Sequence, residues 1–95
     1  MERMTEDGKV VCVFAGRMDT VRCQEIDEDV LVALSDENVS NGVIFDLSEV
    51  DYVCSAFLRY MIMAAKKGAL AVRGPQPPVR KLLKIAGLDS VASIE

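Results

Sequence analysis

Short apolar segments alternate with longer amphipathic segments along this chain of 95 residues. The apolar segments are rich in β-branched residues and too short for buried helices, so they predict buried β-strands. These segments are Val10–Ala15, Gly42–Leu47 and Ala69–Val72. The polar segment Ser48–Asp51 predicts a connection, after which Tyr52–Val53 continues in extended conformation.

Both ends of the chain predict an additional short strand. The residues up to Glu6 lead into Asp7-Gly8, a dipeptide typical of hairpin turns, so they predict an edge strand paired with the next one. Val91–Ile94 predicts a last short strand at the other end.

Between the strands, apolar residues recur at three- and four-residue spacings, which is typical of amphipathic helices. The first helix is predicted over Val21–Leu34, with Asp19 or Thr20 as its N-cap. A second helix is predicted over Ala56–Ala65, and a third begins with Pro78 in its first turn.

The alternating order of strands and helices predicts an α/β domain with a mostly parallel sheet covered by helices. In such sheets, functional sites lie at the carboxyl ends of the strands. Two polar loops leave strand ends for helices, Gly16–Thr20 and Asp51–Ser55. If their strands are neighbours, these loops converge.

Composition removes several function classes. The chain contains no His, which excludes His acid/base catalysis, Ser-His and Cys-His nucleophile pairs, and zinc sites with a His ligand. Its net charge of −4 disfavours binding to a phosphate backbone. No Gly-rich phosphate loop is present. We therefore expect neither an enzyme nor a nucleic-acid-binding protein, and we expect no catalytic residue, metal or cofactor.

The number of cysteines and the lack of a long apolar segment indicate the cellular compartment of the protein. The three cysteines, Cys12, Cys23 and Cys54, are odd in number and form no C-x-x-C motif, so reduced thiols are expected. No segment has the composition of a signal peptide or approaches the roughly 18 apolar residues of a membrane span. The sequence predicts a cytoplasmic protein without membrane insertion.

Ser55 is the candidate functional hydroxyl, because it follows an extended stretch and precedes a helical run. It is either a helix N-cap or a phosphorylation site at a helix N-terminus. Cys54 is either a small buried residue or a thiol with a lowered pKa at the same terminus. Asp19 and Asp46 are candidates for paired carboxylates, although their spacing does not require it.

Three segments resemble STAS domains. Phe14-Ala15-Gly16-Arg17-Met18-Asp19 resembles the family's L-x-G-x-L-D segment. Val43 to Arg59 resembles its central segment, V-V-L-D-L-S-x-V-x-Y-I-S-S-A-G-L-R. Gly74–Val79 together with Ile85–Asp89 is similar to its C-terminal portion. The resemblance covers about Val10 to Ile94.

The resemblance implies one STAS-like domain over residues 1–95, with a mostly parallel sheet of about four to five strands covered by about four helices. It is strongest to the stand-alone bacterial anti-sigma factor antagonists, which bind an anti-sigma factor with serine kinase activity and are reset by a phosphatase. It makes Ser55 the phosphoacceptor. The partner-binding residues that it implies, with their immediate neighbours, are Gly16, Arg17, Met18, Asp19, Thr20, Asp46, Cys54, Ala56, Phe57 and Arg59.

Two departures from the family pattern lead to alternatives. Phe57 replaces the family's Gly, so a ring is expected beside Ser55, where it would block a kinase or offer an apolar contact. Cys54 replaces an Asp, although many relatives have Ser there. One alternative is a constitutive interaction module of the same fold, as in stress-signalling assemblies or accessory subunits of lipid transporters. The other is a small-molecule or nucleotide sensor at the strand ends.

Overall fold

The computed structural model describes residues 1–95 and contains one five-stranded sheet and three α-helices. The strands are β1 (Glu2–Glu6), β2 (Lys9–Met18), β3 (Val43–Val53), β4 (Leu70–Arg73) and β5 (Ala92–Ile94). The helices are α1 (Thr20–Leu34), α2 (Ser55–Lys67) and α3 (Pro77–Ile85), and two short 3₁₀ segments cover Glu37–Asn41 and Leu88–Ser90. The predicted α/β fold with a mostly parallel sheet is confirmed.

The strands lie in the sheet in the same order as in the sequence, β1-β2-β3-β4-β5. β1 is antiparallel to β2, and every later pair is parallel. Parallel crossovers are right-handed, so strands added in one direction keep their helices on one face of the sheet. The composition of the core is consistent with this arrangement, because buried residues of all three helices pack against the same face of the strands. The buried residues on that face include Val10, Cys12, Phe14, Val43, Phe45, Leu47, Leu70 and Val72.

The other face of the sheet carries no helix. Val11 and Ile44 lie on it, because strand residues alternate between the two faces. Glu6 and Arg73 belong to the same face and form an ion pair of 2.9 Å between β1 and β4. The hydrogen bond and charge of Arg73 lower the pKa of the Glu6 carboxyl. This pair therefore spans the two central strands on the open face.

Aromatic side chains are few, and most of them meet at one point in the core. Phe14 of β2, Phe45 of β3 and Phe57 of α2 are fully buried. The ring centroid of Phe14 lies 5.0 Å from that of Phe45 and 4.9 Å from that of Phe57. Phe57 also makes an edge contact with Tyr60 at 6.4 Å. The expectation that Phe57 stands beside Ser55 at the surface is wrong, because its ring points into the core.

Several element boundaries differ from the prediction. Ser48–Asp51 is part of β3 rather than a connection. Its polar residues face outward while Val50 is buried, and β-bulges let this part of β3 follow β2 beyond the end of β4. The third helix begins at Pro77, one residue before the predicted start. The segment Leu88–Ser90 is a 3₁₀ turn, so the structure has three α-helices instead of about four.

We expect Phe57→Ala to lower the free energy of unfolding by about 3–5 kcal/mol, because it removes a buried ring and leaves a cavity between two strands and a helix. Phe57→Leu keeps most of the volume and should cost clearly less. Urea unfolding followed by circular dichroism measures both. A loss below about 1 kcal/mol for the Ala variant would contradict the packing role of this ring.

Candidate functional site

The paired ends of β2 and β3 bring the two predicted loops together. Met18 lies opposite Val53, and the backbone N–H of Cys54 donates to the carbonyl oxygen of Met18 at 3.0 Å. Each of the two strands is then followed by a helix, α1 from Thr20 and α2 from Ser55. The N-termini of α1 and α2 therefore lie side by side, and we call Met18–Thr20 with Val53–Ser55 the carboxyl edge. The predicted convergence of the loops is confirmed.

Ser55 is the first residue of α2 and is exposed. The N-cap position belongs to Cys54, which has extended backbone angles, and no side chain makes a capping hydrogen bond there. The interpretation of Ser55 as the cap is therefore wrong. No side-chain oxygen caps the first turn of α2, and the backbone N–H groups of Ala56 and Phe57 lie near the Cys54 sulfur. A helix start of this kind accommodates an anion.

Asp19 caps the neighbouring helix. Its carboxylate accepts a hydrogen bond from the backbone N–H of Arg22 at 2.9 Å and lies 3.5 Å from Nε of Arg17. The Arg17 guanidinium in turn stacks over the ring of Tyr52, 4.0 Å from the centroid. Tyr52 was not among the predicted binding residues, although an isolated aromatic in a polar strand end was a signal for it. Exposed polar and aromatic groups thus surround the ends of both strands.

Two thiols meet behind Ser55. The sulfur of Cys54 lies 3.9 Å from that of Cys23, which belongs to the first turns of α1. Burial raises the pKa of Cys23 to about 12, and its contact with Cys54 adds to the rise. Burial also acts to raise the pKa of Cys54, but hydrogen bonds from the backbone N–H groups of Phe57 and Ala56, together with the side chains of Cys23 and Thr20, outweigh it, so the pKa of Cys54 is lowered. Cys23 was missed as a site residue, because its helical spacing fits a core position.

A groove of about 440 Å³ runs between α1 and α2 next to Ser55. Thr20, Ala56 and Arg59 of the predicted binding set line it, together with Cys23, Gln24, Asp27, Tyr60 and Met63. The Tyr60 hydroxyl donates to the Asp27 carboxylate and to the carbonyl oxygen of Cys23, the latter at 3.2 Å. Arg59 is exposed, lies one turn after Ser55 and belongs to none of the ion pairs of the structure.

Three predicted partner-binding residues present no side chain on the exposed surface of the carboxyl edge. Met18 and Phe57 are buried in the core, so neither offers its side chain to a partner. Asp46 lies in the middle of β3 and accepts hydrogen bonds from the backbone N–H and hydroxyl of Ser48, at 3.0 and 2.7 Å. Asp46 is paired with Val13, five residues before Met18 on β2, which places it about 16 Å from the carboxyl edge.

Other kinds of site have little structural basis. No group of three or more His, Cys, Asp or Glu side chains is arranged to hold a metal ion. The strand order has no reversal, so the sheet lacks the crevice at which open α/β sheets bind nucleotides. No helix has both the length and the apolar character needed to cross a membrane.

The family model described as "Mlab, STAS domain" matches residues 2–94, nearly the whole chain. The chain belongs to the STAS domain family. This match agrees with the sequence segments at Phe14–Asp19 and Val43–Arg59 that resemble the family.

Individual relatives of this STAS domain carry regulatory names. A Bordetella bronchiseptica protein named as the anti-sigma factor antagonist BtrV is 28% identical over 90 residues, covering 90% of this chain and 76% of that protein. A crystal structure from Thermotoga maritima, also named as an anti-sigma factor antagonist, has a TM-score of 0.83 at 19% identity and covers 98% of this chain and 83% of that chain.

Two solved structures of the Bacillus protein SpoIIAA, one unphosphorylated and one phosphorylated, are similar to the structure of this chain. Its unphosphorylated form has a TM-score of 0.69 at 16% identity, covering 99% of this chain and 86% of that chain. Its phosphorylated form has a TM-score of 0.66 at 17% identity, covering 99% of this chain and 89% of that chain. At these identities the solved structures establish the common fold.

We expect iodoacetamide to alkylate Cys54 first, with a midpoint below that of free cysteine, because the pKa of Cys54 is lowered. A lowered pKa means a larger thiolate fraction at a given pH, and the thiolate is the nucleophile. Cys12 and Cys23 should stay unlabelled, because burial raises their pKa values to about 11 and about 12. Peptide mass spectrometry across a pH series measures this, with Cys54→Ser as the control that loses the early label. A midpoint above that of free cysteine would contradict the expected thiolate.

Proposed function

We propose that this STAS domain is an anti-sigma factor antagonist. It binds an anti-sigma factor with serine kinase activity through the carboxyl edge and the adjoining groove between α1 and α2. Phosphorylation of Ser55 by that partner ends the complex, and a phosphatase resets the domain. The chain itself performs no catalysis in this scheme. The observation that carries the proposal is the exposed hydroxyl of Ser55 at the uncapped start of α2.

The domain can carry a phosphate at Ser55 without unfolding. A phosphoserine adds a charge of about −1.5 to −2, and the positive end of a helix dipole favours negative charge at this position. The uncapped backbone N–H groups of α2 offer hydrogen bonds to its oxygens. Arg59 lies four residues further along the helix, on the same side as Ser55, and is not engaged in an ion pair. The phosphate thus has partners within the chain.

The same phosphate opposes a docked protein. An interface formed over Ser55 excludes water from a hydroxyl in the unmodified chain and from a dianion in the modified one. Asp19, at the start of the adjoining helix, already places a carboxylate at this edge. Like charges brought together across an interface cost several kcal/mol, and each 1.4 kcal/mol is about tenfold in affinity. One phosphate is therefore enough to reverse binding.

The relatives support the same assignment. BtrV and the Thermotoga maritima protein carry the name of anti-sigma factor antagonist. SpoIIAA carries the same name in its unphosphorylated form and also occurs in a phosphorylated form. Phe57 is no obstacle to a kinase on this chain, because its ring is buried beneath α2.

Phosphorylation of Ser55 is tested with the cognate kinase and ATP. We expect the intact mass to rise by one phosphate in the wild-type protein and in Thr20→Ala, which removes a neighbouring hydroxyl at the same edge. Ser55→Ala should show no mass increase, because the acceptor is gone. An unmodified wild-type protein, or a phosphate that persists in Ser55→Ala, would contradict the switch at this residue.

A constitutive interaction module is the second candidate. It is favoured by the position of Asp46, which matches an acidic position of the family but lies along β3 far from Ser55. In this case the carboxyl edge binds a partner without a phosphorylation step.

A binding titration of Ser55→Asp and Ser55→Asn against the anti-sigma factor separates the two candidates. Under the phosphorylation switch, Ser55→Asp should weaken binding by about tenfold or more, while the neutral Ser55→Asn stays near wild type, because only a charge opposes the interface. Equal affinity of all three proteins would support the constitutive module. Weakening by both variants would indicate that shape, not charge, matters at this position.

A further inference from the structure

Cys54 belongs to the carboxyl edge and Cys23 lines the groove, but the binding scheme above uses the chemistry of neither thiol. We propose that Cys54 and Cys23 are a modification site, at which a hydroperoxide oxidises Cys54 and the two residues then form a reversible disulfide. This inference rests on the arrangement of the thiols and does not depend on phosphorylation of Ser55.

The geometry places the two sulfurs within reach of each other. They lie 3.9 Å apart in the reduced chain, and a disulfide requires a separation of about 2.05 Å. Cys23 sits near the start of α1 and Cys54 immediately precedes α2. The pairing of β2 with β3 holds both helix starts in position, down to the hydrogen bond between the N–H of Cys54 and the carbonyl of Met18. The two sulfurs must therefore approach each other by about 2 Å to close the bond.

The two cysteines differ in access and ionisation. Cys54 is half-buried, and its pKa is lowered because hydrogen bonds from backbone N–H groups and from the side chains of Cys23 and Thr20 together outweigh the effect of burial. Cys23 is almost fully buried, and burial raises its pKa to about 12. An oxidant from solvent therefore meets Cys54 first, and Cys23 is protected until its neighbour has reacted. This is the relation between an attacking thiol and a resolving thiol.

The chemistry balances with a hydroperoxide as the oxidant. The Cys54 thiolate attacks the terminal oxygen, the O–O bond breaks, and the departing alkoxide or hydroxide takes a proton from water. Cys54 is then a sulfenic acid. The Cys23 sulfur attacks the Cys54 sulfur, the S–O bond breaks, and the thiol proton leaves with the hydroxyl as water. The two sulfurs each lose one electron, and the peroxide gains both.

The product ties the start of α2 to the first turns of α1. The bond is made at the residue that immediately precedes α2, directly next to Ser55. Thiol-disulfide exchange with a small dithiol restores the reduced pair. Cys12, which is completely buried on β2, takes no part.

The test treats the folded full chain with hydrogen peroxide and measures intact mass without reductant. We expect a loss of two hydrogen atoms that dithiothreitol reverses, and a peptide map that links Cys23 to Cys54. Cys23→Ser removes the resolving thiol, so Cys54 should remain a sulfenic acid that dimedone traps. Cys54→Ser should give neither disulfide nor dimedone adduct. Circular dichroism of each variant checks that the fold is kept.

Three results would overturn the proposal. One is a wild-type protein that stays reduced at peroxide concentrations that oxidise free cysteine. Another is a linkage through Cys12 or between two chains. The third is over-oxidation of Cys54 to the sulfinic acid in wild type at the same rate as in Cys23→Ser, since an effective resolving thiol prevents it. None of these results bears on the binding function proposed for the carboxyl edge.

Discussion

The parallel pairing of β2 with β3 is the constraint on which the rest of the structure depends. It continues through two β-bulges beyond the end of β4, until Met18 lies opposite Val53. Each strand then leads within two residues into a helix, so the starts of α1 and α2 are fixed relative to each other by backbone hydrogen bonds. The exposed groups at the carboxyl edge thus stand on rigid elements rather than on a flexible loop.

The core holds α2 against this pairing. Phe14 and Phe45 come from the two central strands, and Phe57 joins them from the first turns of α2. Phe57, which differs most from the family pattern, is therefore a core residue. Ser55, two positions earlier in the same turn of α2, faces solvent. Neighbours in the sequence serve stability and binding separately because a helix turns about 100° per residue.

The carboxyl edge combines two kinds of chemistry. The uncapped start of α2 favours negative charge, whether it is a phosphate on Ser55 or a thiolate at Cys54. The same local feature of the backbone therefore underlies both proposals. The opposite, helix-free face of the sheet has no comparable feature. It is crossed by the Glu6–Arg73 ion pair, and Asp46 on this face accepts hydrogen bonds from Ser48.

The sequence by itself determined the fold class, the order of the elements and the family, and it made Ser55 the candidate site residue, because apolar periodicity and local motifs act over a few residues. Only the tertiary structure decided which side chains of different elements meet. It buried Phe57 and Met18, separated Asp46 from Ser55, kept Ser48–Asp51 within β3, and brought Cys23 to Cys54 across a sequence separation of 31 residues. These outcomes depend on how strands and helices pack against one another and on the β-bulges, that is, on contacts between residues far apart in the sequence.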